Sequence, residues 1–136
     1  MKFYLKDIKK IKIRYFKDKN GFISVISLNE HLNVKLNRIF FVNCDHSTVR
    51  GNHAHKKCYQ LMFSLMGKIK LIVDDGLKKK EIFLEVSKNA FLIPPTVWAS
   101  QQYPNTKAIL GVICDRDFEE EDYIRNYKDF KKLYKL

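Results

Sequence analysis

The chain of 136 residues has few cysteines, glycines and prolines and no long apolar run. Cys44, Cys58 and Cys114 are odd in number and widely spaced, so we expect buried free thiols and not a disulfide framework or a zinc-type Cys-x-x-Cys pair. No segment approaches the roughly eighteen apolar residues that span a bilayer. Charges interrupt residues 1–16, whereas a signal peptide needs an uninterrupted apolar stretch there. We therefore expect a cytoplasmic protein with no membrane partner.

Internal repeats, low-complexity stretches and Pro/Gly/Ser-rich linkers are also missing, which favours one domain over residues 1–136. The composition is 46% hydrophobic and 30% charged, which is typical of a globular protein. A chain of this length buries roughly two-thirds of the surface that its unfolded form exposes.

The charge is strongly one-sided, with 26 Lys and Arg against 15 Asp and Glu and a net charge of +11. Such an excess is compatible with a lysine-rich solvated surface, an anionic small-molecule ligand or a nucleic-acid partner. The lysines lie at both chain ends and in residues 77–81, mixed with acidic residues, and do not follow one predicted helix. We therefore expect no nucleic-acid partner.

Short strand-like runs alternate with turn residues along most of the chain. The sequence Lys19-Asn20-Gly21 predicts a hairpin between strands at 10–16 and 22–28, and Asp74-Asp75-Gly76 predicts another between strands at 68–74 and 80–86. Further strands are predicted at 36–43, 58–66, 90–93, 96–102 and 107–114. Beyond residue 117, apolar spacing and an early-acid, late-lysine order predict one amphipathic helix or two short ones. The fold class predicted is all-β, a jelly-roll β-barrel with a short C-terminal helical cap.

His53 and His55 are the strongest candidates for chemistry. Being two residues apart, they would project from the same face of a strand. Alone, this pair is compatible with ordinary structural histidines, with metal ligands and with proton transfer.

The residues after the pair follow a known spacing. Four residues separate His55 from Gln60, and six separate Gln60 from Gly67. This resembles the first cupin motif, His-x-His-x(3,4)-Glu-x(6)-Gly, with Gln60 in the carboxylate position. The second motif, Pro-x-Gly-x-x-His, is similar to residues 94–99, with Ala99 in the ligand position. Because two of four ligands are replaced, we expect no metal and no other cofactor.

Without a metal, two imidazoles with an unperturbed pKa of about 6.5 suit proton transfer and enolisation. Arg50, three residues before His53, adds a fixed cation for a phosphate or an enolate oxygen. Gly51 is expected to serve the turn into the strand.

These features together resemble the dTDP-4-keto-6-deoxyglucose 3,4-ketoisomerases, metal-free cupins of sugar-nucleotide biosynthesis. The resemblance rests on four stretches between about residues 38 and 130. They are the run Arg50-Gly51-x-His53-Ala54-His55-Lys56-Lys57, a Leu-x-Gly before Asp74-Asp75-Gly76, Pro95-x-x-Trp98, and Glu120-x-Asp122-Tyr123-Ile124-Arg125-x-Tyr127-x-x-Phe130.

The resemblance implies a homodimer that converts a dTDP-linked 4-keto-6-deoxy sugar into its 3-keto isomer through an enediol, ahead of an aminotransferase that makes 3-amino-3,6-dideoxy sugars for surface glycans. It makes His53 and His55 the catalytic acid/base pair. We favour His55 as the principal acid/base and His53 as its partner, although the sequence does not separate the two roles. The substrate-binding candidates that it implies are Arg38, Arg50, Lys56 and Gln60.

Two positions depart from the family pattern. Arg38-Ile39-Phe40-Phe41 stands where members carry Arg-x-Tyr-Tyr, and Ala99 stands where histidine is common. Two alternatives stay open: a nucleotide-sugar 3,5-epimerase and a non-catalytic sugar-binding cupin. The epimerases usually pair a histidine with an aspartate in a longer chain, and the sequence shows neither feature.

Overall fold

The computed structural model describes residues 1–28 and 35–135, in which strands dominate. The strands are β1 (Lys9–Lys12), β2 (Arg14–Asp18), β3 (Gly21–Val25), β4 (Arg38–Cys44), β5 (Thr48–His55), β6 (Gln60–Met66), β7 (Ile69–Asp74), β8 (Lys79–Leu84), β9 (Asn89–Ile93), β10 (Trp98–Tyr103), β11 (Ala108–Cys114) and β12 (Tyr123–Ile124). One α-helix, α1 (Tyr127–Lys132), and two short 3-10 helices, Leu5–Asp7 and Glu120–Asp122, complete the described elements.

Two five-stranded antiparallel sheets pack face to face. The first has the order β1-β9-β6-β11-β4 and the second the order β12-β5-β10-β7-β8. Strands that neighbour each other in a sheet are mostly far apart in sequence, as in a jelly roll. The all-β jelly-roll prediction is confirmed, and the sheets form a sandwich that does not close into one barrel.

The core lies between the sheets because both inner faces alternate in the expected way. In β7, Ile69, Leu71 and Val73 are fully buried, and in β11 the buried set is Ala108, Leu110, Val112 and Cys114. This period of two is what places one row of side chains per sheet in the interior. Cys44, Cys58 and Cys114 are buried free thiols, as predicted.

Both predicted hairpins are present. β2 and β3 pair as a separate two-stranded ribbon around Lys19 and Asn20, and β7 pairs with β8 across the Asp74–Gly76 turn. The predicted strand at 10–16 is in fact split into β1 and β2, which belong to different sheets. The apolar period did not predict β5, because that strand is largely polar.

The C-terminal segment is less helical than predicted. Residues 120–124 form a 3-10 turn and the short strand β12, which pairs with β5, and only 127–132 are α-helical. Phe130 in α1 is fully buried, and Tyr134 behind it packs on the Asp74–Gly76 turn so closely that a Cβ on Gly76 would collide with its ring. Among the described residues, no helix has the length and apolar composition that crossing a membrane requires.

Candidate active site

The polar strand β5 brings the two histidines into the sandwich. Gly51 and Asn52 have positive φ angles of 87° and 58°, and the pairing with β10 shifts register at this point. A Cβ on residue 51 would lie 2.8 Å from the Gln101 side chain and 3.1 Å from the Ala99 carbonyl oxygen. Gly51 therefore permits an irregularity inside the strand. The expectation that it serves the turn into the strand was wrong, because it lies within β5.

His53 and His55 project to the same side of β5, as their spacing predicts. Their ring centroids are 5.0 Å apart and the rings are nearly perpendicular. Tyr123 on β12 is the strand-pairing partner of His55 on β5. Its ring centroid lies 4.9 Å from that of His53 and 4.4 Å from that of His55. The two imidazoles and the phenol thus form one aromatic cluster.

His55 is buried against a carboxylate. Its Nδ1 atom lies 2.9 Å from Oδ2 of Asp122, and both side chains are buried. Because a carboxylate accepts the bond, Nδ1 carries the hydrogen and Nε2 holds the free lone pair of the neutral ring. Nε2 is itself buried and has no hydrogen-bond partner among the described residues. Burial lowers the pKa of His55, and the hydrogen bond that His55 donates to Asp122 opposes that shift.

A second hydrogen bond holds Asp122 in place. Its Oδ1 atom accepts from the backbone N–H of Lys57 at 2.7 Å, while its own carbonyl accepts from the N–H of Lys56. The carboxylate is therefore fixed by the chain that follows β5. This arrangement orients the His55 ring in the way that an aspartate orients a catalytic imidazole in other enzymes.

His53 has the same tautomer for a different reason. Its Nδ1 lies 3.1 Å from the Gly51 carbonyl oxygen, which can only accept, so Nδ1 carries the hydrogen. Burial, followed by the proximity of His55, lowers the pKa of His53 to about 4. Both rings are therefore neutral near pH 7 and both hold a basic Nε2.

His53 lines a cavity of about 210 Å³ between the sheets. The polar part of its wall comes from β5, β6, β10, β12 and the residue after β12, and consists of Arg50, His53, Gln60, Gln101, Tyr123 and Arg125. The apolar part consists of Phe40, Val42, Met62, Leu110 and Val112. Arg125 lies over the Tyr123 ring and forms two hydrogen bonds with Glu120, at 2.8 and 3.0 Å. The cavity therefore joins a titratable imidazole, two guanidinium groups and an apolar floor.

The four predicted substrate-binding residues take three different positions. Arg50 and Gln60 line the cavity, while Arg38 and Gln60 both donate to the Cys114 sulfur beside it, each at 3.5 Å. Lys56 is exposed and is not part of the cavity wall. The structure thus brings Arg50 and Gln60 together with His53 and leaves the Lys56 side chain outside.

The positions of the missing metal ligands agree with the motif alignment. Ala99 lies directly opposite His53 on β10, and Gln60 is in the cavity wall. Within the described part of the chain, one group of three potential metal ligands lies close together, namely His55, Cys58 and Asp122. In this group the imidazole and the carboxylate are already hydrogen-bonded to each other. The absence of a metal stays a prediction.

A larger groove, of about 960 Å³, lies on the outer surface between β1, β2 and the start of β9. Lys10, Lys12, Arg14 and Lys88 line it, and neither histidine does. We place the candidate site in the smaller cavity because that cavity combines groups capable of proton transfer with groups that bind anions.

No role was predicted from the sequence for Asp122, Tyr123 or Arg125, although all three lie in a stretch on which the family resemblance rests. A histidine–aspartate pair, which is not evident in the sequence, is present in the structure, because β12 returns to β5 and places Asp122 against His55, 67 residues earlier in the chain. An acidic residue in a predicted helix gives no local sign of such a contact.

Comparison with known proteins gives consistent results. A family model described as "FdtA: WxcM-like, C-terminal" matches residues 6–135. TDP-4-oxo-6-deoxy-alpha-D-glucose-3,4-oxoisomerase of Aneurinibacillus thermoaerophilus is 30% identical over 116 residues, which cover 85% of this chain and 84% of that protein.

Two solved structures of the sugar 3,4-ketoisomerase QdtA from Thermoanaerobacterium thermosaccharolyticum are also similar. The complex with TDP has a TM-score of 0.87 and 27% identity, with 96% of each chain covered. A histidine-to-asparagine mutant in complex with TDP-4-keto-6-deoxyglucose has a TM-score of 0.87 and 26% identity, with 96% of this chain and 95% of that chain covered.

Proposed function

The chain belongs to the FdtA, WxcM-like C-terminal family, and on that premise we propose that it is a sugar-nucleotide 3,4-ketoisomerase. Its substrate would be dTDP-4-keto-6-deoxyglucose and its product a dTDP-3-keto-6-deoxyhexose. The observation that supports this most directly is the pair of neutral imidazoles with free Nε2 atoms, one backed by Asp122 and one in the wall of the cavity.

The reaction moves one proton between neighbouring carbons. The C3–H bond is acidic because the C4 ketone stabilises the resulting enolate. A base that takes this proton leaves an enediolate across C3 and C4, and protonation of O4 gives the enediol. Protonation at C4 and loss of the O3 proton then give the 3-ketone. Each step needs a proton acceptor or donor within hydrogen-bond reach, which imidazoles supply near neutral pH.

The two histidines are suited to different parts of this sequence. His55 would act as principal acid/base because the Asp122 carboxylate stabilises the imidazolium that forms when Nε2 takes up a proton. His53 would be its partner, moving a proton at the cavity surface. Burial lowers the pKa of His53 to about 4, so the protonated ring readily gives up its proton.

The cavity wall suits an anionic 6-deoxy sugar. Arg50 pairs with no acidic residue within the described ranges and can bind a phosphate oxygen through two donors. The apolar floor built by Phe40, Met62 and Val112 provides a surface against which a C6 methyl group can pack. Gln60, and Arg38 behind it, would contact sugar oxygens, while the exposed Lys56 would add a weaker contact at the rim.

The decisive experiment follows the substrate by NMR in heavy water, with a chelator and no added metal. We expect the C3 proton to be lost and solvent deuterium to appear at C4 of the product. His53→Asn and His55→Asn should each abolish exchange while thermal unfolding stays cooperative, and His46→Asn, an exposed histidine, is the matched control. Full turnover in the His53→Asn/His55→Asn double variant would refute the assignment, and a requirement for added divalent metal would refute metal independence.

A 3,5-epimerase is the second candidate, because the His55–Asp122 pair is a feature of that class. The same experiment separates the two reactions: an epimerase exchanges the protons at C3 and C5 and keeps the ketone at C4. Binding of substrate without any exchange would instead favour a non-catalytic sugar-binding protein. The family to which the chain belongs favours the ketoisomerase.

We also propose a homodimer formed through the outer face of the first sheet. Ile39 and Phe41 project from the outer side of its edge strand β4 and are about half exposed. The β2–β3 ribbon is exposed on both faces and carries Tyr15, Phe16, Phe22 and Ile23. An isolated two-stranded ribbon is marginally stable, and apolar patches of this kind mark association surfaces. A second copy of the chain that packs on β4 and on the β2–β3 ribbon would bury these exposed apolar side chains.

The resemblance to the dTDP-4-keto-6-deoxyglucose 3,4-ketoisomerases also implies a cellular role. The 3-keto product is the substrate that an aminotransferase needs to install a 3-amino group, in the cytoplasm, for sugars of surface glycans such as lipopolysaccharide.

A further inference from the structure

Arg38, Cys114 and Gln60 lie opposite one another on the three neighbouring strands β4, β11 and β6. Directly paired residues project from the same face of a sheet, and Cys114, which is fully buried in the core, shows that this face is the interior. The three side chains therefore form a cross-strand row beside the cavity.

The central sulfur receives two hydrogen bonds. Nη2 of Arg38 and Nε2 of Gln60 each lie 3.5 Å from Sγ of Cys114. Arg38 is stacked on Phe40 and Phe118, and within the described ranges no carboxylate lies in ion-pair distance of it. Arg38 is partly buried, so its guanidinium loses part of its hydration with no carboxylate beside it. A neutral thiol is a weak acceptor, whereas a thiolate is a strong one.

We propose, as a deepening of the ketoisomerase function above, that Cys114 is a thiolate that serves as the counter-ion of Arg38 and positions Arg38 and Gln60 at the site. The partly buried guanidinium and the buried sulfur would then form an ion pair in which both charges are compensated. No catalytic step is assigned to the sulfur, which has no contact with the cavity in which the sugar would react.

The groups around the sulfur favour its ionised form. The neighbouring Cys58 is the largest cause that lowers the pKa of Cys114, and the hydrogen bonds from Gln60 and Arg38 lower it further, while burial opposes them. The titratable or charged groups that face this region are Arg38 on β4, His55 on β5, Cys58 before β6, Asp115 after β11, and Asp122 and Tyr123 at β12.

The ion pair also affects the proposed base. The positive charge of Arg38 lowers the pKa of His55, so a thiolate next to Arg38 offsets that effect and preserves the basicity of Nε2. Loss of the thiolate would leave an uncompensated cation close to the imidazole. Cys114 is therefore a positioning residue for both the charge and the geometry of the site.

The first test needs no substrate. The far-ultraviolet absorbance of thiolates is titrated between pH 5 and 9 in the wild type, in Cys114→Ser and in Cys44→Ser, the matched control that removes another buried thiol. We expect one thiolate to form below pH 7 in the wild type and in Cys44→Ser, and to be missing in Cys114→Ser. Identical titrations in the wild type and Cys114→Ser would overturn the proposal.

Two measurements support this test. Selective ¹³C labelling of cysteine Cβ reports the same ionisation in the unmutated protein, so it remains decisive if Cys114→Ser does not fold. Arg38→Met should move thiolate formation to higher pH, because the counter-ion is gone. An unchanged titration in Arg38→Met would overturn the ion pair.

The second test uses activity and separates positioning from mere packing. In Cys114→Ser we expect a lower kcat and an acidic limb of the kcat profile that moves to lower pH, since the pKa of the base falls. A lower kcat with an unmoved limb would overturn the positioning role. If the wild type proves inactive as a ketoisomerase while the thiolate is present, the proposed function fails and the ion pair stands.

Discussion

Nδ1 of His55 lies 2.9 Å from Oδ2 of Asp122, and the two side chains bury each other at the point where β12 meets β5. This one contact determines the tautomer of His55, supplies a counter-charge for its protonated form and joins the C-terminal segment to the site.

Asp122→Asn should lower kcat by roughly 100-fold or more, the range expected for general acid–base catalysis, with little change in KM. The amide cannot stabilise the imidazolium and can stabilise the wrong tautomer of the ring. Steady-state kinetics and the heavy-water exchange rate measure the effect. Glu121→Gln removes an exposed carboxylate next to it in sequence and should leave both values unchanged. A value of kcat near that of the wild type in Asp122→Asn would contradict a role for the pair.

Arg50→Met should weaken binding of TDP by about 10–100-fold, as expected for loss of a charge-assisted hydrogen bond worth about 1.5–3 kcal/mol. Arg50 lies in the cavity wall, whereas Lys56 is exposed outside it. Lys56→Met should therefore change the affinity much less. Isothermal titration calorimetry with TDP compares the two variants, and a larger loss in Lys56→Met would contradict the location of the phosphate subsite.

The stability of the protein should depend on pH through His53. Its pKa of about 4 in the folded state lies below the ordinary value of 6.5, so the unfolded chain binds more protons between these values. The contribution is fully present above pH 6.5 and is lost as the pH falls towards 4, to a total of about 3 kcal/mol. Urea unfolding of the wild type and of His53→Asn between pH 4 and 7 measures it. A flatter dependence is expected in the variant, and an equal dependence would contradict the assignment.

Phe41→Glu should shift the protein from dimer to monomer, because a charge would be placed in the proposed apolar interface. Phe83→Glu is the matched control, since Phe83 is comparably exposed on β8 of the other sheet. Light scattering coupled to size-exclusion chromatography measures the mass. A wild-type monomer, or a Phe41→Glu variant that remains dimeric, would refute the interface.

Tyr134→Phe should lower the free energy of unfolding by about 1–3 kcal/mol, the cost of leaving a buried hydrogen-bonding group unsatisfied. The Tyr134 hydroxyl bonds to the carbonyl oxygens of Phe3 and Thr96 and so connects the C-terminal segment with both the N-terminus and the turn before β10. Tyr4→Phe, which alters a ring packed edge-on against Tyr134, should cost less. An equal decrease in the free energy of unfolding in the two variants would contradict a specific contribution of the Tyr134 hydroxyl.

Local patterns were sufficient for much of the fold. The alternation in 107–114 predicts β11, and the Asn-Gly and Asp-Gly turns place both hairpins, because side-chain period and turn geometry are properties of neighbouring residues. The polar strand β5 was missed for the same reason: its residues line a site instead of a core. The segment 120–124 was predicted to be helical because its pairing partner, β5, lies far earlier in the chain and gives no local signal.

The sequence by itself determined the family, the all-β class and the shared face of His53 and His55, since motif spacing and strand period are written along the chain. Only the tertiary structure decided that Asp122 binds His55, that Tyr123 and Arg125 complete the cavity, and that Arg38 and Gln60 meet at Cys114. These contacts join strands that are distant in sequence, and their chemistry depends on burial. Burial is set by how the two sheets pack, and no local pattern of residues specifies it.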